Sequence, residues 1–120
     1  MGQALLVNVD LDTGAEIVRI VDEAGIRVSV AAWIVLDEYG DWRFLMSSRH
    51  KASGLVFDAL DAAAFPVRKT PTILILPMTD PTVRALRRYF RQNKDVEGER
   101  IGGQRFGNRW VEDGYVYRVS

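Results

Sequence analysis

The chain contains no cysteine, which excludes disulfides, thiolate metal sites and cysteine nucleophiles. It has a single histidine, His50. No apolar run approaches the length of a membrane span; the strongest is Ile73-Leu74-Ile75-Leu76. The start, Met1-Gly2-Gln3-Ala4-Leu5, lacks the basic opening and apolar core of a signal peptide. There is no excess of either charge, with 16 bases against 16 acids. These absences suit a cytoplasmic protein with no membrane association. At 120 residues and 48% apolar content, residues 1–120 are expected to fold as one domain around one core.

The zero net charge conceals a split. Residues 1–64 hold ten acids and five bases, a net −5, and residues 65–120 hold six acids and eleven bases, a net +5. If the fold turns this split into two surfaces, the basic one can steer an anion or the acidic side of another copy.

Periodicity gives the elements. A helix is expected from about Leu11 to Ala24, capped by Asp10 or Asp12 and ended by Gly25; Thr13 and Glu16 have capping-box spacing. Leu11, Ile17, Val18, Val21 and Ala24 make its buried stripe. Arg27–Leu36 and Trp42–Ser47 read as a hairpin around Glu38-Tyr39-Gly40-Asp41. Val28, Val30, Ala32, Ile34 and Leu36 share one face and Trp33 and Val35 the other, so this strand is expected to be central. A second helix spans Lys51 to Ala64, with Leu55, Val56, Ala59, Leu60, Ala62 and Ala63 on its apolar face. Thr72–Leu76 reads as a buried strand. Asp80-Pro81 opens a third helix to about Asn93, with Val83, Leu86, Tyr89 and Phe90 inward. Arg100 to Val119 should form a hairpin, turning at Gly107-Asn108 or Asp113-Gly114. The first turn is preferred, with Gly114 as a bulge. The expected fold is α+β, a mostly antiparallel sheet with about three helices in the order α-β-β-α-β-α-β-β.

Several of these stretches resemble a group of small uncharacterised bacterial proteins. They are Ala32-Trp33, Tyr39 through Trp42-Arg43-Phe44-Leu45, and Arg105-Phe106 through Val111-Glu112-Asp113-Gly114-Tyr115-Val116-Tyr117-Arg118. The resemblance covers most of the chain. It implies a compact single domain and brings no activity, cofactor or site.

The strongest functional lead is on the third helix. Arg84, Arg87, Arg88, Arg91 and Lys94 follow i, i+3, i+4, i+7, i+10 and fall on one stripe. Arginine offers a planar fork that suits phosphate and carboxylate. Arg68, Lys69, Arg100, Arg105 and Arg109 could extend the patch. The competing reading is a solvated face whose cations suit the helix dipole, and a pI of about 6.6 is low for a dedicated nucleic-acid domain. Tyr89, Phe106, Trp110, Tyr115 and Tyr117 crowd the same half as stacking rings, or as core or dimer packing. Ser48-Arg49-His50-Lys51 matches S-x-x-K, but no S-D-N or K-T-G accompanies it. Asp10-x-Asp12, or Asp37-Glu38 with Asp41, would suit Mg²⁺, but capping and turn chemistry account for them. Gly102-Gly103 and Gly107 lack the features of a phosphate loop and suit a twisted strand.

No catalytic residue, metal ligand or cofactor is assigned. The expected function is a non-enzymatic interaction module whose basic stripe meets an acidic protein surface, a second copy (a homodimer) or nucleic acid. The second class is a small metal-dependent nuclease or phosphotransferase-like enzyme using Asp10 and Asp12.

Overall fold

A strand with apolar side chains on both faces must be covered on both. β1 (Val28–Leu36) is such a strand, and all nine of its residues are buried. The computed structural model describes residue 6, residues 8–49, 53–91 and 96–120. Around β1 it places α1 (Asn8–Glu23), β2 (Trp42–Ser48), α2 (Ser53–Ala62), β3 (Ile73–Ile75), α3 (Pro81–Tyr89), β4 (Glu99–Ile101), β5 (Gln104–Phe106) and β6 (Arg109–Val119). The six strands form one sheet in the order β3-β2-β1-β6-β4, and β5 also pairs with β6. All pairings are antiparallel except β2 with β3. The α+β fold and the element order are those the sequence leads one to expect, with the first arm of the C-terminal hairpin divided into β4 and β5.

The helices take opposite sides. Ile17 and Val21 of α1 and Val56 and Leu60 of α2 pack with Trp33, Phe44 and Met46 on one face. Val83 and Leu86 of α3 pack with Ala32, Ile34, Leu45 and Val116 on the other. Val28 differs from its expected side. The β1–β2 register shifts between Val28 and Val30, and Val28 joins the α1 cluster.

Three expectations need correction. Thr72–Leu76 forms a strand but not a fully buried one: β3 is an edge, and its three residues are only partly buried. Its apolar run comes from having core on both faces, which an edge strand under helices shares with a central one. α1 begins at Asn8, so Asp10 lies in its first turn, and Thr13 and Glu16 lie inside the helix instead of forming a capping box. α2 ends at Ala62, before the expected Ala64, while its expected start at Lys51 lies outside the described residues; Val56 and Leu60 are buried, whereas Leu55 is 50% exposed and Ala62 and Ala63 also face out. Before α1, residues 1–5 and 7 lie outside the described residues.

Both helices of the first layer end in the same way. At α1, the Ile26 N–H donates to the Val21 carbonyl and Gly25 N–H to Asp22, and Gly25 has φ +80°. At α2, Phe65 N–H donates to Leu60 and Ala64 N–H to Asp61, but the left-handed residue is Ala64, at φ +55°. Each is a Schellman closure, which glycine adopts without penalty and alanine does not.

The start of α1 is pinned to the end of the chain. Tyr117 Oη donates to the Leu11 carbonyl at 2.6 Å, and Trp33 Nε1 donates to the Asp10 carbonyl at 3.1 Å and to Tyr117 Oη at 3.2 Å. Burial pushes the Tyr117 hydroxyl well above its usual range, against the Trp33 N–H that favours the phenolate. Gly14 lets the helix come this close, because a Cβ there would run into the Tyr117 hydroxyl and the Trp33 indole nitrogen.

The C-terminal hairpin turns at Gly107-Asn108: Phe106 pairs with Arg109, and Gly107 has φ +64°. β6 shifts register against β1 at Glu112 and at Tyr117 instead of Gly114, since Val35 pairs with Asp113 and Leu36 with Val111, and Ala31 with Arg118 and Ala32 with Val116. Gly114 serves close packing, and a Cβ there would lie 2.7 Å from Ile101 Cγ1.

Two glycine substitutions should therefore act in opposite directions. Ala64→Gly removes a left-handed alanine and should stabilise the fold by about 0.5–1 kcal/mol. Gly14→Ala should destabilise it by about 1–3 kcal/mol through overpacking, despite a helix-propensity gain of about 1 kcal/mol. Urea titrations of the two variants measure both.

Candidate anion-binding site

α3 begins as its sequence dictates. Asp80 accepts from the Thr82 N–H at 2.8 Å and the Val83 N–H at 3.3 Å, and Pro81 occupies the first turn. Val83 and Leu86 are fully buried and Phe90 is nearly so. The helix stops at Tyr89, and Phe90 is its C-cap, so Arg91 stands on the turn just beyond. Tyr89 is not inward as expected: it is 55% exposed and packs edge-on against Phe90 and Phe106. Asn93, the expected end of the helix, lies outside the described residues.

Arg84, Arg87, Arg88 and Arg91 together line one cleft of about 540 Å³, with Phe90, Val119 and Ser120 as its other walls among the described residues. Arg87 is partly buried because its Nε donates to the Ser120 backbone oxygen at 2.8 Å. Arg84, Arg88 and Arg91 are exposed, and among the described residues none of them has a carboxylate partner. Four like charges thus share one concavity, and among the described residues three of them have no acidic partner for their hydrogen-bond donors. Lys94, the fifth cation of the expected stripe, lies outside the described residues.

The wider basic patch does not assemble here. Arg100 is held by both oxygens of Asp113, at 2.8 and 2.9 Å. Arg105 borders a different, smaller cleft with Trp110. Arg68 and Lys69 sit in the short helical turn Val67–Lys69 after α2. Arg109 is enclosed: Nη1 donates to Asp80 Oδ1 at 2.9 Å, Asp80 Oδ2 at 3.0 Å and Thr82 Oγ1 at 3.0 Å, and Nε to Glu38 at 3.0 Å. Burial disfavours the Arg109 cation, but Asp80 and Glu38 outweigh it and hold the guanidinium above its usual range. The same Asp80 that caps α3 therefore fastens it to the turn of the C-terminal hairpin, where Thr82 Oγ1 donates to the Phe106 carbonyl at 3.0 Å. Linear spacing carries no sign of this junction, because its members come from three separate elements.

The charge split of the sequence becomes a polarity of the molecule. α1 carries five acids and one base, and α2 two acids and no base. α3 carries three arginines and no acid, and Arg91 follows it. The two layers lie on opposite faces of the sheet. The aromatic residues do not join the arginines: Tyr115 and Tyr117 pack on the α1 face, and Phe106 is buried.

The remaining candidates resolve into structural roles where they are described. Ser48 Oγ donates to the Arg27 carbonyl and Ser47 Oγ contacts Met78 Sδ; His50 and Lys51 lie outside the described residues. Asp41 accepts from the Trp42 N–H at 2.7 Å, as a turn aspartate does. Among the described residues, no three His, Asp or Glu side chains converge as a metal site would require. No described helix is long and apolar enough to cross a membrane.

Two measurements separate structural charges from those of the cleft. Asp80→Ala removes a cap and two charge-assisted bonds and should cost about 2–3 kcal/mol; Glu38→Ala, whose side chain is 52% exposed, should cost below about 1 kcal/mol. The second concerns Asp22, held below the usual carboxylate range by hydrogen bonds from Arg118 at 2.7 and 2.8 Å. A depressed folded-state pKa gives stability that is present above about pH 4 and is lost as pH falls through the folded value. Stability measured against pH in Arg118→Gln should accordingly show a shallower acid limb than the unmodified chain.

No protein-family model matches this chain, and neither does any curated protein or solved structure.

Proposed function

We propose that this chain is a non-enzymatic interaction module that binds an acidic protein surface through the arginine cleft of α3. The observation that carries this reading is the convergence of Arg84, Arg87, Arg88 and Arg91 on one cleft, three of them without a carboxylate among the described residues. Like charges held side by side repel one another, and an anionic partner relieves that repulsion. Arg87, steadied by the Ser120 backbone oxygen, gives the cleft one ordered wall.

An acidic protein suits the cleft better than nucleic acid does. Base stacking needs exposed rings beside the phosphate-binding cations. The one ring in the cleft wall, Phe90, is 3% exposed, and Tyr89 and Trp110 are not among its walls. An enzyme with Asp10 and Asp12 as metal ligands is the less favoured class: they share the first turns of α1 with no third acid converging on them among the described residues.

Fluorescence anisotropy with a labelled polyglutamate peptide and with a labelled oligonucleotide tests the reading. The peptide should bind in low salt and be released as salt rises. Arg84→Glu/Arg88→Glu should weaken peptide binding by more than about tenfold without changing the melting temperature appreciably, because both side chains are exposed. Tighter binding of the oligonucleotide at matched salt would transfer the reading to nucleic acid, and no binding of either at low salt would end it.

A further inference from the structure

We infer that the acidic surface the arginine cleft takes is the α1/α2 layer of a second copy of this chain, so that copies associate head to tail. This inference rests on the proposed function above and names its partner.

The molecule carries both halves of the contact. On one face of the sheet, α3 and the turn after it present Arg84, Arg87, Arg88 and Arg91 around a cleft of about 540 Å³. On the other face, Asp58 borders a cleft of about 370 Å³ beside α1 and α2, and an adjoining one of about 400 Å³ is bordered by Glu16 and Glu23, both already paired with Arg19 of the same wall, at 3.8 and 3.2 Å. Asp58 and Asp61 lie three residues apart on α2, both exposed and, among the described residues, without a cation. Arginines and aspartates that have no opposite charge among the described residues are thus displayed on the same molecule, too far apart to meet within it, because the sheet stands between them. Net charge is zero, so no global repulsion opposes the approach of two copies. The opposed charge orients them as they meet. The contact is not purely polar. Leu55, 50% exposed, lines the acidic-side cleft with Asp58, and the arginine stems are apolar enough to cover it.

Geometry then dictates the kind of assembly. The two surfaces lie on opposite faces, so a copy that offers its arginines to a neighbour still has its own acidic layer free. Such a contact is heterologous: it extends into a chain or closes into a ring, and it does not stop at a two-fold dimer.

Sedimentation velocity of the full chain tests this at about 10 mM salt, where the Debye length is about 30 Å, and at about 1 M, where it is about 3 Å. The expected result is a mass that keeps rising with concentration beyond two copies in low salt and falls to the monomer in high salt. Two variants make the test specific. Arg84→Gln/Arg88→Gln removes charge from the basic side, and Asp58→Asn/Asp61→Asn removes it from the acidic side; neutral replacements create no new attraction between the two variants. Each alone should be monomeric in low salt. Mixed in equal amounts, each supplies the side the other lacks, and they should form a species of two chains and no larger one. That heterodimer also demonstrates that both variants are folded. A monomeric unmodified chain in low salt overturns the inference; so does a dimer that grows no further, or growth that persists in either variant. If the chain is monomeric yet still binds polyglutamate, the proposed function stands and the second copy is excluded as its partner. If it does neither, both fail.

Discussion

Everything in this fold answers to the burial of β1. Nine consecutive residues with no solvated side cannot sit at the margin of a sheet or under a single layer of helices. β2 and β6 occupy its two edges, and helices must cover its two faces. The chain meets this demand in order: the helices before and after the first hairpin go to one side, and the helix after β3 goes to the other. Because α1 and α2 carry seven acids and one base, and α3 carries three arginines and no acid, covering β1 also separates these charges. The polarity of the surface is thus a by-product of how the core is closed.

The junction at Asp80 joins these levels. A helix cap is a local device, satisfied by a neighbouring residue's N–H. Here the same carboxylate takes a guanidinium from 29 residues further along the chain, and that guanidinium reaches the hairpin turn at Glu38. α3 is therefore fixed in direction by a charge-assisted contact at its start and by Val83 and Leu86 along its length. Its arginines are placed by this fixation. The cleft is built from exposed side chains, but the helix that carries them has little freedom to turn.

Local patterns revealed much of this. Alternation at Val30, Ala32, Ile34 and Leu36, the Asp80-Pro81 start, Gly25 as a helix stop and the Gly107-Asn108 turn are short-range signals, and the structure uses each. What the sequence hid was relational. Ile73–Ile75 is as apolar as a central strand because both faces at that edge are covered. Val28 lies on the side opposite to its alternation because a register shift intervenes, and the bulges of β6 fall at Glu112 and Tyr117 where Gly114 had suggested one. Leu55 and Tyr89 are exposed although their spacing points inward, since periodicity gives an angle around a helix and not the breadth of the surface beneath it. At the site, the arginine stripe was visible from spacing alone. That Arg100 and Arg109 would be claimed by Asp113, Asp80 and Glu38 was not, because each pairing spans loops whose course only the fold determines.

The pairing of β1 with β6 bears on how the chain is made. These neighbours are about the first and the last strands in order, and Val30 lies beside Val119. On the ribosome, β1 emerges early and can take β2 as a partner at once, but its other edge waits for β6. During that interval it is a long, uncharged, β-branched edge of the kind that recruits foreign strands. The same wait holds back the Tyr117 and Trp33 contacts that seat α1. Synthesis of this protein thus passes through a period when its most deeply buried strand is its least protected one, and β6 both completes the sheet and ends that exposure.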